Sequence, residues 1–359
     1  MTAKVYFLPL ADGLSSADQA VAMNRIYEAA GLDTVVADKD FVAIKTHVGE
    51  KLNTTHIKPE LIRALVENVK RKGGLPFLTE TSTLYRCERE NAIKHIMHAH
   101  RQGFGIENIG APFIMADGLA GNTEYEVEIN GILHKSVKIA REISSADALI
   151  VVSHPTGHIA AGMGACIKNL GMGLASRMGK LRQHSAMLPE IAAAKCQLCH
   201  KCIAWCPQGA IHENEGKAYI TPEKCVGCGE CLVMCKFDAV KFDWGAESGH
   251  MQKSMAEHAY GVVKDKQQAR KCCYINVLVD MTHDCDCEAA CQEKLIRDIG
   301  ILASYDPVAI DKATLDLTVA ANGKSLAELS YAQHDATIQI RHAAQIGMGT
   351  MAYELVEVK

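Results

Sequence analysis

Apolar and polar positions along the chain fall into two alternating patterns. Short, nearly continuous apolar runs at residues 5–8, 41–46 (FVAIKT), 75–79, 148–153 (ALIVVS), 274–280 (YINVLVD) and 353–358 predict strands. Their length and β-branched content suit strands buried on both faces. Between them lie stretches with helical spacing. Residues 18–30 place Ala20, Val21, Ile26, Ala29 and Ala30 on one side and stop at Gly31. Residues 59–72 open on Pro59 and close on Gly73 and Gly74, and residues 88–102 and 307–320 are further helices. The alternation predicts an α/β fold, a mostly parallel sheet flanked by helices. Asn130-Gly131, between apolar residues 125–129 and 132–137, predicts a hairpin. The Gly-rich stretch from Gly157 to Gly179 reads as a loop followed by a helix.

Residues 196–235 break this rhythm. Cys196, Cys199, Cys202 and Cys206 are followed by Pro207, and Cys225, Cys228, Cys231 and Cys235 repeat the spacing. C-x2-C-x2-C-x3-C written twice is the ligand pattern of a bacterial two-cluster ferredoxin, in which the fourth cysteine of each run serves the other cluster. One [4Fe-4S] cluster is therefore assigned to Cys196, Cys199, Cys202 and Cys235, the other to Cys225, Cys228, Cys231 and Cys206. Structural zinc needs four ligands per site and gives no reason for a doubled run. The repeat extends to Lys195-Cys196 against Lys224-Cys225, and Ala210-Ile211 against Ala239-Val240. Because the strand and helix pattern resumes afterwards, the two-cluster, α+β ferredoxin-like unit is expected as an insertion at 191–244, between α/β parts at 1–190 and 245–359.

Composition changes this picture little. Of 359 residues, 48% are hydrophobic and 22% charged, and the net charge of −4 lacks the basic excess of a nucleic-acid surface. No run of 18 apolar residues suggests a membrane span. Residues 1–10 lack a signal-peptide layout, and fifteen cysteines without export point to a reducing cytoplasm.

Two further groups of residues carry chemistry. In SHPTGHIAAGMGACIKNLGMG, His154 and His158 follow a predicted strand, and Lys168 and Asn169 come ten residues later, then Lys180 and His184. Ligands bind at strand C-terminal ends in open α/β sheets, and Lys45, His47 and Glu80 end two other predicted strands. Parallel strands would gather these ends into a pocket for a small anionic or carbonyl substrate, with histidine as proton donor. A purely structural Lys45–Glu80 ion pair competes with that role. The second group is His283, Asp284, Cys285, Asp286, Cys287 and Cys291, with Cys272 and Cys273 upstream. Cys285 and Cys287, with Cys291 or Cys273, are candidates for a third cluster or metal, or for a redox-active dithiol. His95, His98 and His100 read as one solvated helix face. Asp306 and Pro307 read as a helix start, with Asp311 one turn further in.

With Lys45-Thr46, Glu80-Thr81, His154 to His158, GMGACIKNLGMGLASRMGKLRQHS, CDC at 285–287 and DIGILASYDPVAID at 298–311, the chain resembles the domain of unknown function 362 family, in the branch with an internal ferredoxin. The resemblance covers most of the chain and implies its layout and clusters rather than a substrate. It favours Cys285 and Cys287 over Cys272, Cys273 and Cys291. Pro155-Thr156 stands where the family tends to have a bulky residue and a lysine, so no lysine role carries over there. The expected function is a ferredoxin-coupled oxidoreductase. Its electrons come from a ferredoxin or flavoprotein partner and pass through two clusters to a site near His154, His158, Lys168 and Lys45. Cys285, Cys287, Asn169 and His184 are candidate cofactor-binding groups there. The alternatives are an electron carrier or adaptor of a larger redox complex, and a metal- or cluster-handling factor.

Overall fold

The computed structural model describes residues 2–184, 188–225, 227, 229–241 and 247–358. Eight strands form one sheet: β1 (Ala3–Pro9), β2 (Phe41–Lys45), β3 (Leu75–Glu80), β4 (Phe113–Met115), β5 (Ala148–Ser153), β6 (Cys272–Leu278), β7 (Gly300–Ser304) and β8 (Tyr353–Glu357). Their order is β8-β1-β7-β6-β5-β2-β3-β4. β7 runs antiparallel to β1 and β6, and every other pairing is parallel. The mostly parallel α/β sheet expected from the apolar runs is therefore present. The fully buried β5 and β6 lie in its middle.

Period-two alternation divides the core into two layers. Along β5, Leu149 and Val151 face one layer with Tyr274 and Leu302, while Ile150 and Val152 face the other with Ile275 and Ile301. Helices α1 (Ser16–Ala29) and α2 (Pro59–Arg71) cover the second layer through Met23, Ile26, Leu61 and Leu65. Across the sheet pack α4 (Cys166–Gly171), α6 (Ser248–Gln268) and α7 (Pro307–Asn322), through Ile167, Leu170, Met255, Ala259, Val308 and Ala313. Helix α7 begins as its sequence predicts. Asp306 accepts the amides of Val308 and Ala309, and Pro307 takes the first helical position.

Several details depart from the sequence pattern. The helix expected over 88–102 is shorter: Asn91 caps it at the Lys94 amide, giving α3 (Ala92–Ala99), and the π turn that follows (His100–Phe104) is kinked at Gly103, with φ 89°. The hairpin forms between Glu124–Glu128 and Ser136–Ala140, but not on a two-residue Asn-Gly turn. The Glu257 carboxylate of α6 accepts the amides of Ile132, Leu133 and His134, which holds the tip open as a longer loop. The Gly-rich stretch holds a small hairpin (Thr156–His158 with Gly162–Gly164), then α4 and α5 (Arg177–His184), rather than a loop and one helix.

Gly157 lets this hairpin lie against the segment leading to Cys285. A Cβ there would meet the His283 carbonyl oxygen at 2.0 Å and Ser330 Oγ at 2.5 Å, and the Gly157 amide donates to the Thr282 carbonyl. Gly157→Ala is expected to cost about 1–3 kcal/mol through overpacking against backbone that cannot yield. A fall in the denaturant midpoint with an unchanged slope would register it.

The cysteine-rich segment follows α5 and has its own small core of Cys196, Cys202, Ile211, Ala218, Ile220, Cys231, Ala239 and Val240. Its ribbon Ile211–Asn214 with Lys217–Ile220 lies between two short helices, Lys201–Trp205 and Glu230–Met234. Pairing of Glu190–Ile191 with Val240–Lys241 brings the segment's two ends together. The expected boundary at residue 244 and the Cys228 ligand lie outside the described residues. Among the described residues, no helix is long and apolar enough to cross a membrane.

Candidate functional site

The C-terminal ends of β2, β3 and β5 converge because these strands are parallel neighbours. Lys45, at the end of β2, is fully buried, and its Nζ lies 2.7 Å from Glu80 Oε1 at the end of β3. The same ammonium donates to Asn169 Oδ1 of α4 at 2.7 Å and to the Thr46 carbonyl at 3.0 Å. Asn169 in turn donates to the Val152 carbonyl and to Ser153 Oγ, which ties α4 to the end of β5. Gly173 makes room for the ammonium, since a Cβ there would stand 2.9 Å from Lys45 Nζ. Burial pushes the Glu80 carboxyl up, but Lys45 and two nearby histidines outweigh it and hold it well below its ordinary range. Lys45 and Glu80 thus form a buried ion pair that is also part of a cavity wall.

That cavity measures about 170 Å³, close to the roughly 150 Å³ that admits a benzene-sized molecule. Lys45, His154, His158, Lys168, Asn169, His184, Cys285 and Cys287, the candidates from eight separate positions, all line it. Asp311 fixes the helix that carries Lys168 and Asn169. Its buried carboxylate accepts the amides of Cys166 and Ile167 and the side chain of Asn276.

The two histidines differ in kind. His154 Nδ1 lies 2.8 Å from Asp286 Oδ2 and its Nε2 lies 2.7 Å from the Val279 carbonyl. Two acceptors require two protons, so the ring is an imidazolium. Burial opposes that charge, but Asp286 outweighs it and raises the pKa. His154 therefore orients the Asp286 turn rather than offering a proton to the cavity. His158 accepts the Ala160 amide at Nδ1, which leaves its proton on Nε2. Burial and the nearby Lys168 keep it neutral, well below the ordinary histidine value. His184 is likewise depressed, to about 4, by burial and by Lys168 and Lys180.

Cys285 and Cys287 meet across Asp286. Three donors converge on Cys285 Sγ: Lys168 Nζ at 2.8 Å, the Cys287 thiol at 2.7 Å and the Cys287 amide at 3.3 Å. The Cys287 hydrogen bond, with Lys168, outweighs burial and brings the Cys285 pKa down to about 6. The hydrogen bond to Cys285, with burial, pushes Cys287 well up. Alkylation of Cys285 by iodoacetamide should therefore be half-maximal near pH 6. In Lys168→Met the midpoint should climb toward the ordinary thiol value of about 8.5, as pH-dependent labelling read by mass spectrometry would show. An unchanged midpoint would remove Lys168 from the thiolate's support.

The other cysteines expected to join this pair do not reach it. Cys272 and Cys273 are buried within β6, facing opposite core layers, and Cys291 is exposed beside Thr54. Among the described residues, no three His, Cys, Asp or Glu side chains are grouped to hold a single metal ion. The histidine reading of α3 is corrected as well. His95 and His98 are buried, with His95 Nε2 3.1 Å from Glu80 Oε2 and His98 Nε2 on the Gly49 carbonyl, whereas His100 is exposed. Polar partners beneath α3 overrule its polar appearance. Sequence reasoning also missed Arg89, whose fully buried guanidinium bonds Glu50 Oε2, His47 Nε2 and the Tyr85 hydroxyl at the cavity rim. A charged residue within an apparent helix gave no signal of this.

In the cysteine-rich segment, Cys196, Cys199, Cys202 and Cys235 line one small cavity, and Cys206, Cys225 and Cys231 line another. The fourth cysteine of each run thus faces the other run. The surroundings repeat: the Ala210 amide donates to Cys206 Sγ and the Ala239 amide to Cys235 Sγ, both at 3.3 Å. Cys196 Sγ accepts from Leu198 and Ala218. Cysteine sulfurs in apolar cavities, supplied with amide donors, fit the donor set of an iron–sulfur cluster. The segment also touches residues adjacent to the α/β cavity wall. Arg86 donates to the Cys235 carbonyl at 3.4 Å, and its neighbour Tyr85 lines the cavity. Gly229 sits against Leu181 of α5, the helix that also carries Lys180 and His184.

Comparison with known proteins finds three kinds of likeness. Residues 42–316 match the family described as Domain of unknown function (DUF362). A subunit of the anaerobic dimethyl sulfoxide reductase of Haemophilus influenzae is 33% identical over 88 residues, 24% of this protein and 41% of that one. An uncharacterized ferredoxin of Methanocaldococcus jannaschii is 37% identical over 59 residues, 16% of this protein and 40% of that one. The match thus spans about two fifths of the length of these relatives. Among solved structures, the lactate racemase apoprotein from Thermoanaerobacterium thermosaccharolyticum aligns at 12% identity with a TM-score of 0.39, over 77% of this protein and 51% of that one.

Proposed function

This protein belongs to the DUF362 family, and on that premise we propose that it is an iron–sulfur oxidoreductase whose reaction takes place in the cavity at the ends of β2, β3 and β5. In this reading Cys196, Cys199, Cys202 and Cys235 hold one [4Fe-4S] cluster, and Cys225, Cys228, Cys231 and Cys206 hold the other, within an insert spanning about residues 191–244. Such clusters, when bound, supply reversible one-electron transfer. Relatives that include a ferredoxin and a reductase subunit support this part, and the partner we propose is an electron-donating ferredoxin or flavoprotein.

The observation that carries the enzymatic part is that the cysteine-rich segment touches Arg86 and Leu181, the sequence neighbours of the cavity-lining Tyr85 and Lys180. An electron carrier has no use for a cavity walled by Lys45, Glu80, His158 and Lys168. In that cavity Lys45 and Asn169 fix the floor, and neutral His158 offers its Nε2–H as a hydrogen-bond donor to a substrate oxygen. Lys168 and Cys285 form the reactive wall. The carbon chemistry open to such a site is protonation beside a carbonyl or carboxylate as electrons arrive, with the Lys168 ammonium as the proton source. Asp286, held by His154, shapes the turn without entering the reaction.

The test is anaerobic reoxidation. The reduced protein is mixed with small carbonyl, carboxylate and disulfide compounds, and recovery of the visible absorbance is followed. The reading expects at least one compound to reoxidise it, with the rate lowered in His158→Ala while reoxidation by methyl viologen is unchanged. Reoxidation by proteins alone, indifferent to His158→Ala, would favour the carrier instead.

A further inference from the structure

We infer that Cys285 and Cys287 are a redox-active dithiol, which closes to a disulfide by exchange with a small disulfide admitted to the cavity. Three observations carry this. The two sulfurs face each other at 2.7 Å with both thiols free. Closure to the roughly 2.0 Å of a disulfide bond therefore takes only a small movement of the turn. Both residues line the cavity, so a ligand there reaches them. Cys272 and Cys273 are buried in the two core layers of β6 and Cys291 lies beside Thr54, which leaves Cys285 and Cys287 as two sulfurs paired with each other.

The roles within the pair follow from the hydrogen bonds. Cys285 receives all three donors and is the attacking thiolate, while Cys287 donates and is the resolving thiol. Cys285 Sγ attacks one sulfur of the small disulfide RS–SR, forming a mixed disulfide and releasing RS⁻. Cys287 then gives up its proton and attacks Cys285 Sγ, forming the internal disulfide. That proton goes to one of the two RS⁻ groups released. In sum the dithiol loses two electrons, and RS–SR is reduced to one RS⁻ and one RSH. Oxidation also removes the anionic partner of Lys168, leaving an unpaired ammonium in the cavity wall. The site thus favours disulfides carrying an anionic group.

Lys168 sets the poise of the pair. A hydrogen-bonded ammonium stabilises the reduced, thiolate form, which makes the disulfide easier to reduce. For the fate of the electron pair the inference rests on the oxidoreductase reading, because the internal disulfide must be reduced again. The exchange itself does not depend on that reading.

The experiment uses the full-length protein with iron and sulfide retained, equilibrated anaerobically with graded mixtures of reduced and oxidised dithiodiglycolate. The samples are acid-quenched, alkylated and peptide-mapped, and their iron is measured in parallel. The inference expects Cys285 and Cys287 to pass together from two labelled thiols to one internally linked peptide. In Cys287→Ser, Cys285 should accumulate the mixed disulfide instead. In Lys168→Met the balance should move about tenfold toward the disulfide, a fall of about 30 mV in midpoint, and Lys168→Arg should restore most of it. Two labelled thiols at every mixture, or a metal lost together with these two cysteines, would overturn the inference. Loss of iron from the cysteine-rich segment with the linked peptide still forming would instead count against the electron-relay reading alone.

Discussion

Replacing Lys45 with Met is expected to destabilise the fold by about 3–5 kcal/mol, among the largest effects of any single substitution here. The Lys45 ammonium is fully buried and has three acceptors. Removing it strands the Glu80 carboxylate in the same dry environment with His95 as its hydrogen-bond partner. The double variant Lys45→Met/Glu80→Gln should recover most of the loss, because removing both charges also removes the desolvation cost. The pH dependence has a defined sign. Glu80 is held below its ordinary value of 4.5, so its contribution is complete above that value and is lost as pH falls through the lower folded value. Denaturant unfolding of the two variants from pH 7 downward measures both effects. A double variant no better than the single one would show that packing of the Lys45 stem, not charge, dominates.

The second large effect concerns the crossed cysteines. Cys235 faces Cys196, Cys199 and Cys202, whereas Cys206 faces Cys225 and Cys231. Cys235→Ser should therefore disturb the same cluster as Cys202→Ser, and Cys206→Ser the same cluster as Cys231→Ser, each losing up to about half of the iron. EPR of the reduced variants reads this directly. Matching spectra within each crossed pair are expected, and matching spectra within each contiguous run would overturn the assignment.

Much of this architecture was legible in the sequence, for physical reasons. Strands buried on both faces, such as ALIVVS, must be apolar throughout, so their runs stand out. Pro307 and Asp306 announce a helix start because their backbone chemistry suits little else. The gathering of Lys45 and Glu80 with His154 followed from strand direction, whereas Lys168 was nominated by its place in the Gly-rich stretch and arrives on α4. Short or interrupted elements were not legible. β4 is three residues long, and GILAS in β7 is no more apolar than many helix segments. The Asn130-Gly131 hairpin missed its expected turn because Glu257, distant in sequence, captures the tip amides. His95 and Arg89 were opaque for the same reason. Each is a charged or polar residue whose burial depends on a partner from another element, Glu80 for one and Glu50 for the other. Likewise, spacing nominated His154 as a proton donor, but only tertiary contacts show both its nitrogens already engaged.

The most direct test of the central claim is iron and acid-labile sulfide analysis of anaerobically purified protein, with EPR after reduction, for the wild type beside Cys285→Ser/Cys287→Ser. Two [4Fe-4S] clusters predict about eight irons and eight sulfides per molecule in both proteins, with two interacting one-electron signals. About four irons or fewer in the wild type would contradict the two-cluster assignment, and with it the proposed relay to the cavity.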